Sequence, residues 1–348
     1  MAYLPGQPVP WFTAPTASSP AFVLDSAAGR YVVLLLLPEE PAARSEAIRT
    51  LATHQRMFDD SRTTAVVVLR DPSWVQGARD IRGLRWVHDS SGRITELFGP
   101  EPHWLLLDPT LRVMASAPIA DGAALLARLP TLPPPAEHAG VPMHAPALIA
   151  PRVFEPELCE ELIQRHQAQG GAFTGVMRDQ GDRTVAVMDE LKKRRDIWLE
   201  DPELRDAIAE RLHRRLFPFI RLALGFAATR IERYLVSCYD AADEAVFHPH
   251  RDNTTQGTAH RRFACSINLN DDFDGGDLRF GEYGMSTYRP PVGGAVVFSC
   301  AILHEATRVT RGRRYAFLPF LFDEDGATVR AAYEARVAGL APAEGTPA

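Results

Sequence analysis

The chain carries one stretch with the spacing of a metal site, His248-Pro249-His250-Arg251-Asp252-Asn253. Residues two positions apart on a β-strand point to the same side, so His250 and Asp252 can bind one metal ion together. The best candidate for a third ligand is His304, because it follows the apolar run 295–298, whose end would present it to the same cavity. Two histidines and one carboxylate on one side of a metal are the arrangement that suits non-haem Fe(II).

A permanent positive charge follows the third candidate ligand. Arg314 comes ten residues after His304, in a run that is predicted to be the next strand. A guanidinium group can bind a carboxylate through two parallel hydrogen bonds. Arg314 is therefore the candidate binding residue for a co-substrate that carries a carboxylate.

Strands are predicted on both sides of this stretch, because short apolar runs alternate with turn sequences such as Asp274-Gly275-Gly276-Asp277. The predicted strands cover residues 231–239, 263–269, 277–280, 294–298 and 315–322. Two helices precede them, one over 155–169 and one that opens at Asp201-Pro202 and has an apolar stripe of Leu204, Ile208, Leu212 and Leu216. This order predicts a double-stranded β-helix, or jelly roll, backed by helices.

The first part of the chain has a different pattern. Continuous apolar runs at 31–37, 64–69 and 103–107 are typical of strands buried on both faces of a sheet. Residues 42–58 and 74–81 between them read as helices, which predicts an α/β sandwich. Six prolines fall within residues 129–147, and such a stretch reads as a semi-rigid linker.

The bulk composition is that of an ordinary globular protein. The chain has 348 residues, enough for about two domains. Its net charge of -6 argues against nucleic acid as the main partner, and its apolar runs are too short to span a membrane. The four cysteines form no C-x-x-C pair, so neither a zinc knuckle nor a dithiol motif is expected. No signal peptide is evident, so we expect a cytoplasmic location.

Residues 150–325 are similar to the Fe(II)/2-oxoglutarate dioxygenase superfamily, in its prolyl 4-hydroxylase-like branch. The resemblance is carried by Cys238-Tyr239, residues 249–253, residues 269–280, Pro291-Val292-Gly293, Leu303-His304-Glu305 and residues 309–315. It implies His250, Asp252 and His304 as iron ligands, Arg314 as the residue that binds the distal carboxylate of 2-oxoglutarate, and Tyr239 as a hydrogen-bond partner of the same carboxylate. It also implies Fe(II), 2-oxoglutarate and O₂ as cofactor and co-substrates, with ascorbate as a candidate reductant.

Some positions leave alternatives open. His248 could share a face with His250 and Asp252, but the carboxylate must follow the ligand histidine by two positions, so His248 is interpreted as a near-site or surface residue. Tyr239 fits a core aromatic nearly as well. Asn268 stands where many members of the family have an aromatic residue beside the co-substrate, so the contact on that side stays open.

Three basic or polar stretches are interpreted as exposed. The basic run 192–195 and the run 211–215 are expected to be solvated faces, although the resemblance also allows the first run to face the substrate entrance. His260 lies in a polar loop and is expected to be solvated.

The first 130 residues resemble peroxiredoxin-type thioredoxin-fold domains. The resemblance is carried by residues 6–12, residues 89–94, Leu97-Phe98-Gly99, and Pro102, which matches that family's proline-then-strand step, often with a cis-proline. The peroxidatic cysteine of that family should lie near Pro38-Glu39-Glu40-Pro41, but the first cysteine in the chain is Cys159. A thiolate is the nucleophile of such chemistry, so this region is expected to be catalytically inactive and to serve a structural or partner-binding role.

These observations predict four parts: a thioredoxin-like domain over 1–130, a proline-rich linker over 131–147, a jelly-roll dioxygenase domain over 148–325, and a C-terminal helix and tail over 326–348, with the helix at 327–340 and the tail disordered. The predicted activity is hydroxylation of a C–H bond in a peptidyl residue or a small amino-acid-like substrate, with release of succinate and CO₂. The alternatives are a cupin-like iron dioxygenase that needs no 2-oxoglutarate, and a scaffold protein with a residual metal site. Asp252 argues against a halogenase, since halogenating members of the family lack this carboxylate.

Overall fold

The computed structural model describes residues 3–75 and 77–339. They form two compact units. The first unit contains the described residues up to Ala145 together with Phe280–Ser286, and the second contains Pro146–Arg279 and the described residues from Thr287 onward. The tail predicted to be disordered, and Leu340 before it, lie outside the described residues.

The first unit is built on a mixed five-stranded sheet in the order β5 (Leu84–His88), β4 (Thr63–Leu69), β3 (Tyr31–Leu36), β6 (His103–Leu107) and β7 (Val113–Pro118). Strands β3, β4 and β5 are parallel, and β6 and β7 are antiparallel to their neighbours. Every residue of β3 and β4 is buried, as expected for strands that are covered on both faces. The strands are β1 Thr13–Ala14, β2 Phe22–Val23, β3 Tyr31–Leu36, β4 Thr63–Leu69, β5 Leu84–His88, β6 His103–Leu107 and β7 Val113–Pro118; the helices are α1 Pro41–Thr53, α2 Arg93–Phe98 and α3 Gly122–Leu126.

The three strands predicted in this region are confirmed, but the helix predicted over 74–81 is wrong. A short 3₁₀ turn, Pro72–Trp74, ends where that helix should begin. Asp71 caps this turn by accepting a hydrogen bond from the Ser73 amide at 2.8 Å, a local interaction that favours turns over longer helices. The peptide bond before Pro102 is trans, because the described residues contain no cis bond. The thioredoxin-like assignment of this unit stays a prediction.

The proline-rich segment is partly ordered by hydrogen bonds. Two 3₁₀ turns, Leu129–Thr131 and Pro135–Glu137, interrupt it. The Tyr31 hydroxyl donates a hydrogen bond to the Pro133 carbonyl oxygen at 3.1 Å. Its last residue, Ala147, begins the strand Ala147–Ala150 of the second unit. The assignment of this segment as a linker stays a prediction.

The second unit contains most of the strands. They are β8 Ala147–Ala150, β9 Ala172–Phe173, β10 Val176–Gln180, β11 Arg183–Val187, β12 Lys192–Lys193, β13 Arg195–Trp198, β14 Arg230–Glu232, β15 Leu235–Asp240, β16 Val246–His250, β17 Phe263–Asn268, β18 Asp274–Gly275, β19 Leu278–Arg279, β20 Thr287–Tyr288, β21 Ala295–Ser299, β22 His304–Ala306, β23 Val309–Arg311, β24 Arg313–Phe317 and β25 Phe320–Phe322. The helices are α4 Pro156–Gln169, α5 Pro202–Arg211, α6 Phe217–Leu224 and α7 Glu324–Ala338, with a π-helical turn, Leu212–Leu216, between α5 and α6.

The strand order of this unit is that of a double-stranded β-helix. The larger sheet contains the neighbours β15-β24-β17-β21, and the smaller sheet contains β16-β22-β19-β20. All of these pairings are antiparallel. Since the chain crosses repeatedly between the two sheets, residues distant in sequence meet in one barrel, as the turn pattern predicted.

The helices cover the outer face of the larger sheet. The predicted apolar stripe of Leu204, Ile208, Leu212 and Leu216 is buried in one core with strand residues such as Val236 and Phe317. Successive strand residues point to opposite faces, so Ser237, Tyr239 and Arg314 project to the other side, into the barrel. Among the described residues, no helix is both long enough and apolar enough to cross a membrane.

Two predicted strands are interrupted. The run 231–239 breaks at Arg233, whose φ of 66° places it in the left-handed region, and continues as β15. The run 315–322 likewise divides into β24 and β25. The C-terminal helix begins at Glu324, earlier than predicted, because the Asp323 side chain caps it by accepting a hydrogen bond from the Gly326 amide at 2.8 Å.

Candidate metal centre and co-substrate pocket

The barrel brings the three candidate ligands together. His250 ends β16 and lies directly opposite His304, the first residue of β22. His250 Nε2 is 3.6 Å from Asp252 Oδ1, and His304 Nε2 is 3.2 Å from Asp252 Oδ2. One ligand atom from each residue lies within 4.8 Å of the others. Three donors this close together fit one divalent metal ion.

The second nitrogen of each histidine is held by the backbone. His250 Nδ1 lies 2.8 Å from the carbonyl oxygen of His248, and His304 Nδ1 lies 3.1 Å from that of Ile302. A carbonyl oxygen can only accept, so Nδ1 carries the proton and Nε2 is the nitrogen that remains for a metal ion. This is the arrangement that metal-binding histidines normally show. His248 contributes its carbonyl, while its side chain is exposed and outside the cluster, in agreement with its interpretation as a surface residue.

The electrostatics of the cluster favour metal binding. Burial lowers the pKa of His250 to about 4, and the neighbouring His304 acts in the same direction. Burial would raise the pKa of Asp252, but its electrostatic interactions with His304 and His250 hold it well below its ordinary value. At neutral pH His250 is therefore neutral and Asp252 is ionised, which are the forms that bind metal.

A buried ion-pair network supports the backbone of Asp252. Arg261 forms two hydrogen bonds to Glu232, at 2.9 and 2.7 Å, and donates a third to the Asp252 carbonyl oxygen at 3.3 Å. His260 Nε2 lies 2.7 Å from a Glu232 carboxylate oxygen. The prediction that His260 is solvated is wrong, because the residue is only 3% exposed. The polar composition of its loop gave no sign of the partner, which lies 28 residues earlier.

Aromatic rings pack against the two histidines of the cluster. The Phe247 ring stacks on the His250 ring with centroids 3.5 Å apart and an angle of 17°. The Phe298 ring lies 4.5 Å from the His304 ring. These rings restrict the movement of the two imidazoles and keep water away from their outer faces.

Arg314 lies deep in the same barrel and is 2% exposed. Its Nη2 donates to Ser266 Oγ at 2.7 Å and to Asn268 Oδ1 at 3.0 Å, and its Nε donates to Asn268 Oδ1 at 3.1 Å. None of the described residues offers Arg314 a carboxylate within 4.0 Å, and burial lowers its pKa. Asn268, where the sequence left the contact with the co-substrate open, is thus a neutral partner. It orients the guanidinium group without neutralising it.

Tyr239 lies between two guanidinium groups. Its ring centroid is 5.4 Å from Arg314 Cζ, and its hydroxyl accepts a hydrogen bond from Arg194 Nη1 at 2.9 Å. The hydroxyl keeps its own proton for donation to a ligand. Tyr239 is therefore positioned beside Arg314, as the resemblance implied, although it is also fully buried as a core aromatic would be.

The basic run 192–195 is only half solvated, so the prediction of a solvated face is wrong for two of its residues. Lys192 and Arg194 are 7% and 4% exposed. Lys193 and Arg195 alternate with them and form exposed ion pairs with Glu190 and Asp243. The strand period of two explains this division, since alternate residues face into and out of the barrel.

Comparisons with known proteins agree with this geometry. Residues 234–322 match the family model described as the 2OG-Fe(II) oxygenase superfamily. A PKHD-type hydroxylase from Synechococcus sp. (strain JA-2-3B'a(2-13)) is 30% identical over 93 residues. That match covers 25% of this chain and 41% of the relative, so the chain spans less than half the length of the curated relative it matches.

Solved structures of two prolyl hydroxylases are also similar. The viral collagen prolyl hydroxylase of Paramecium bursaria Chlorella virus-1, solved with 2OG, is 12% identical, with a TM-score of 0.38 over 50% of this chain and 94% of its own. The prolyl hydroxylase of Trichoplax adhaerens, solved with a peptide fragment of the hypoxia inducible factor, is 19% identical, with a TM-score of 0.38 over 53% of this chain and 86% of its own.

The segment matched by the family model contains every side chain that was singled out for the metal and the co-substrate. Tyr239, His250, Asp252, His304 and Arg314 all fall between its first and last residues. Over residues 234–322, which contain the candidate metal and co-substrate residues, the chain is similar to the 2OG-Fe(II) oxygenase superfamily.

Proposed function

We propose that the protein is an Fe(II)- and 2-oxoglutarate-dependent oxygenase that hydroxylates a C–H bond of a peptidyl residue or a small amino-acid-like substrate and releases succinate and CO₂. One observation supports this most strongly: a two-histidine, one-carboxylate cluster and a buried arginine without an acidic partner among the described residues face the same barrel. A buried unpaired charge is costly, so Arg314 indicates an anionic ligand.

Each residue has a defined task in this proposal. His250, Asp252 and His304 hold Fe(II) through Nε2, a carboxylate oxygen and Nε2. Arg314 binds the distal carboxylate of 2-oxoglutarate, oriented by Ser266 and Asn268, and Tyr239 donates its hydroxyl proton to the same group. Bound iron with 2-oxoglutarate supplies the oxidation of the C–H bond by O₂. Ascorbate is the proposed reductant that keeps the metal in its Fe(II) form.

The nature of the substrate is proposed from the relatives. The Synechococcus protein carries the name of a hydroxylase, and the Trichoplax protein was solved with a peptide. The first unit is proposed to bind a partner or to serve a structural role, because no cysteine occurs before Cys159.

Anaerobic titration with Fe(II) and then 2-oxoglutarate tests this proposal. We expect a visible charge-transfer band when both are present in the wild-type protein, and no band in a His304→Ala variant. Iron binding without a band would favour a cupin-like dioxygenase that needs no 2-oxoglutarate. Failure to bind iron would refute the ligand set and favour a scaffold role.

A further inference from the structure

A second group of cations faces the barrel and is not used by the proposed reaction. It consists of Lys192, Arg194 and Arg233. Asp196 pairs with two of them: it lies 3.4 Å from Lys192 Nζ and 3.0 Å from Arg194 Nε. Arg233, the third, forms no ion pair with the described residues, although the charges of Glu232 and Asp252 attract it.

Both carboxylate oxygens of Asp196 already have hydrogen-bond and ion-pair partners. Ser237 Oγ donates to one of its oxygens at 2.6 Å, and the Thr174 hydroxyl donates to the other. Burial would raise the pKa of Asp196, but Arg194 and Lys192 lower it to about 2. Asp196 is therefore ionised and holds Lys192 and Arg194 in place, but it does not pair with Arg233.

Arg194 lies beside the aromatic ring that packs on one of the metal ligands. Its Cζ lies 5.4 Å from the Phe247 ring, and that ring stacks on His250. Its Nη1 donates to Tyr239, but its buried Nε has no hydrogen-bond partner among the described residues, because the approach to Asp196 lacks hydrogen-bond geometry. One aromatic ring thus separates an incompletely satisfied guanidinium group from the candidate iron site.

Arg233 is the least satisfied of the three. Within the described part of the chain it forms no ion pair, its Nε is buried without a hydrogen-bond partner, and its Nη2 makes one long contact of 3.5 Å with the Leu318 carbonyl oxygen. Burial lowers its pKa to about 10, the charges of Arg261 and Arg194 add to this effect, and the charges of Glu232 and Asp252 oppose it. Its Cζ lies 4.2 Å from the Phe320 ring centroid. A buried cation without an ion-pair partner is costly in free energy.

Lys192 lies two residues before Arg194 and is the third member of the group. Its Nζ lies 5.8 Å from the Phe247 ring centroid and donates hydrogen bonds to Thr174 Oγ1 at 2.5 Å and to the Gly175 carbonyl oxygen at 3.1 Å. Burial lowers its pKa to about 7, and Arg194 acts in the same direction. An incoming anion would favour the protonated, charged form of Lys192.

We propose that Arg194 and Arg233, with Lys192 beside them, bind a carboxylate of the substrate, so that the enzyme acts on an anionic, carboxylate-bearing molecule. The inference rests on the proposed function and adds a substrate class to it. The proposed function assigns the distal carboxylate of 2-oxoglutarate to Arg314, so Arg194 and Arg233 are left for a carboxylate of the substrate. Guanidinium groups bind this planar anion well. It is either the α-carboxylate of a free amino acid or an acidic side chain of a peptide.

Binding of matched probe pairs tests the proposal. The probes are free L-amino acids against their C-terminal amides, and capped peptides that contain Asp or Glu against the same peptides with Asn or Gln. Binding is measured by anaerobic calorimetry on the full chain loaded with Fe(II) and 2-oxoglutarate. We expect at least one acid to bind about tenfold or more tightly than its neutral partner, since a lost buried charge contact costs at least this much. The pair that discriminates tells which source supplies the carboxylate.

Two variants and one control connect the preference to these residues. Arg194→Gln and Arg233→Gln should each abolish the preference for the acid. Arg233→Gln removes a cation without an ion-pair partner and should not destabilise the fold, so it is informative even if Arg194→Gln unfolds. Arg195→Gln is the matched control, because Arg195 follows Arg194 but pairs with Asp243 at the surface.

Three results would overturn the inference: acids and neutral analogues bind alike, no probe binds at millimolar concentration, or the Arg233→Gln and Arg194→Gln variants lose 2-oxoglutarate affinity as strongly as an Arg314 variant. In the last case the cations belong to the co-substrate site. If the wild-type protein forms no charge-transfer band, the proposed function fails, and the preference for acids can still be measured on the metal-free chain.

Discussion

Replacement of Arg314 by methionine should nearly abolish 2-oxoglutarate binding while leaving iron binding intact. Two nitrogens of Arg314, Nε and Nη2, are held by Ser266 and Asn268. The remaining nitrogen, Nη1, makes no hydrogen bond to the described residues and is left to bind the ligand with Nη2. Removal of one partner from a buried, hydrogen-bonded charge pair costs about 2–5 kcal/mol, which corresponds to a roughly 30- to 5,000-fold rise in Kd.

The Arg314→Lys variant should lie between wild type and Arg314→Met. Lysine keeps the charge, but one ammonium group cannot replace the planar fork that contacts Ser266, Asn268 and the ligand together. The assay is anaerobic titration of the Fe(II)-loaded protein with 2-oxoglutarate, with the visible band as the signal and circular dichroism as a check of folding.

Arg313→Gln is the control for this series, since Arg313 is adjacent in sequence but exposed and paired with Asp240 at the surface. It should change the Kd of 2-oxoglutarate less than about threefold, because surface ion pairs contribute little. The assignment of Arg314 would be refuted if Arg314→Met bound 2-oxoglutarate as wild type does. It would also be refuted if Arg314→Met and Arg313→Gln weakened binding equally.

Three further outcomes are expected. Asn268→Asp keeps the hydrogen bonds to Arg314 but neutralises its charge, so titration should show a roughly 10- to 100-fold loss of 2-oxoglutarate affinity; unchanged affinity would contradict this. Hydrogen bonds from His260 and Arg261 hold the pKa of Glu232 below its ordinary value of 4.5, although burial opposes them. Glu232→Gln should therefore lower the free energy of unfolding by about 3 kcal/mol at pH 7. A depressed carboxyl pKa stabilises the fold at pH values above the unfolded-state pKa. In urea unfolding, the difference in unfolding free energy between wild type and Glu232→Gln should therefore become smaller as the pH falls below about 4.5. A difference that does not change with pH would refute the pairing with Arg261. Gly293→Ala should destabilise the protein by about 3 kcal/mol or more, because φ is 68° and a Cβ would lie 2.2 Å from a carbonyl oxygen; an unchanged melting temperature would count against the turn.

Much of the second unit could be predicted because its signals are local. The i, i+2 spacing of His250 and Asp252 on a strand, and the apolar run before His304, are features of short segments. The strands were predicted from apolar runs between turn sequences, and the double-stranded β-helix follows from their number and order. The structure brings these three residues together as the spacing required.

The incorrect predictions of solvent exposure concern residues whose environment depends on distant parts of the chain. His260 lies in a polar loop, and its partner Glu232 lies 28 residues earlier in the chain. Lys192 and Arg194 read as part of a charged surface, because the strands β12 and β13 are too short to show an apolar period. Alternation alone could have separated residues 192, 194 and 196 from 193 and 195, but nothing in the sequence tells which set faces inward.

The most direct test of the proposed function is the conversion of 2-oxoglutarate to succinate by the purified full chain. In air and with Fe(II), the wild-type protein should form succinate even without an identified substrate, at a low rate that an accepted substrate would increase. Omission of Fe(II) or O₂, or an Asp252→Ala substitution, should stop it, because each removes a component that the reaction requires. Succinate formation that persists in Asp252→Ala, or its complete absence in a folded wild-type protein that binds Fe(II), would contradict the proposed function.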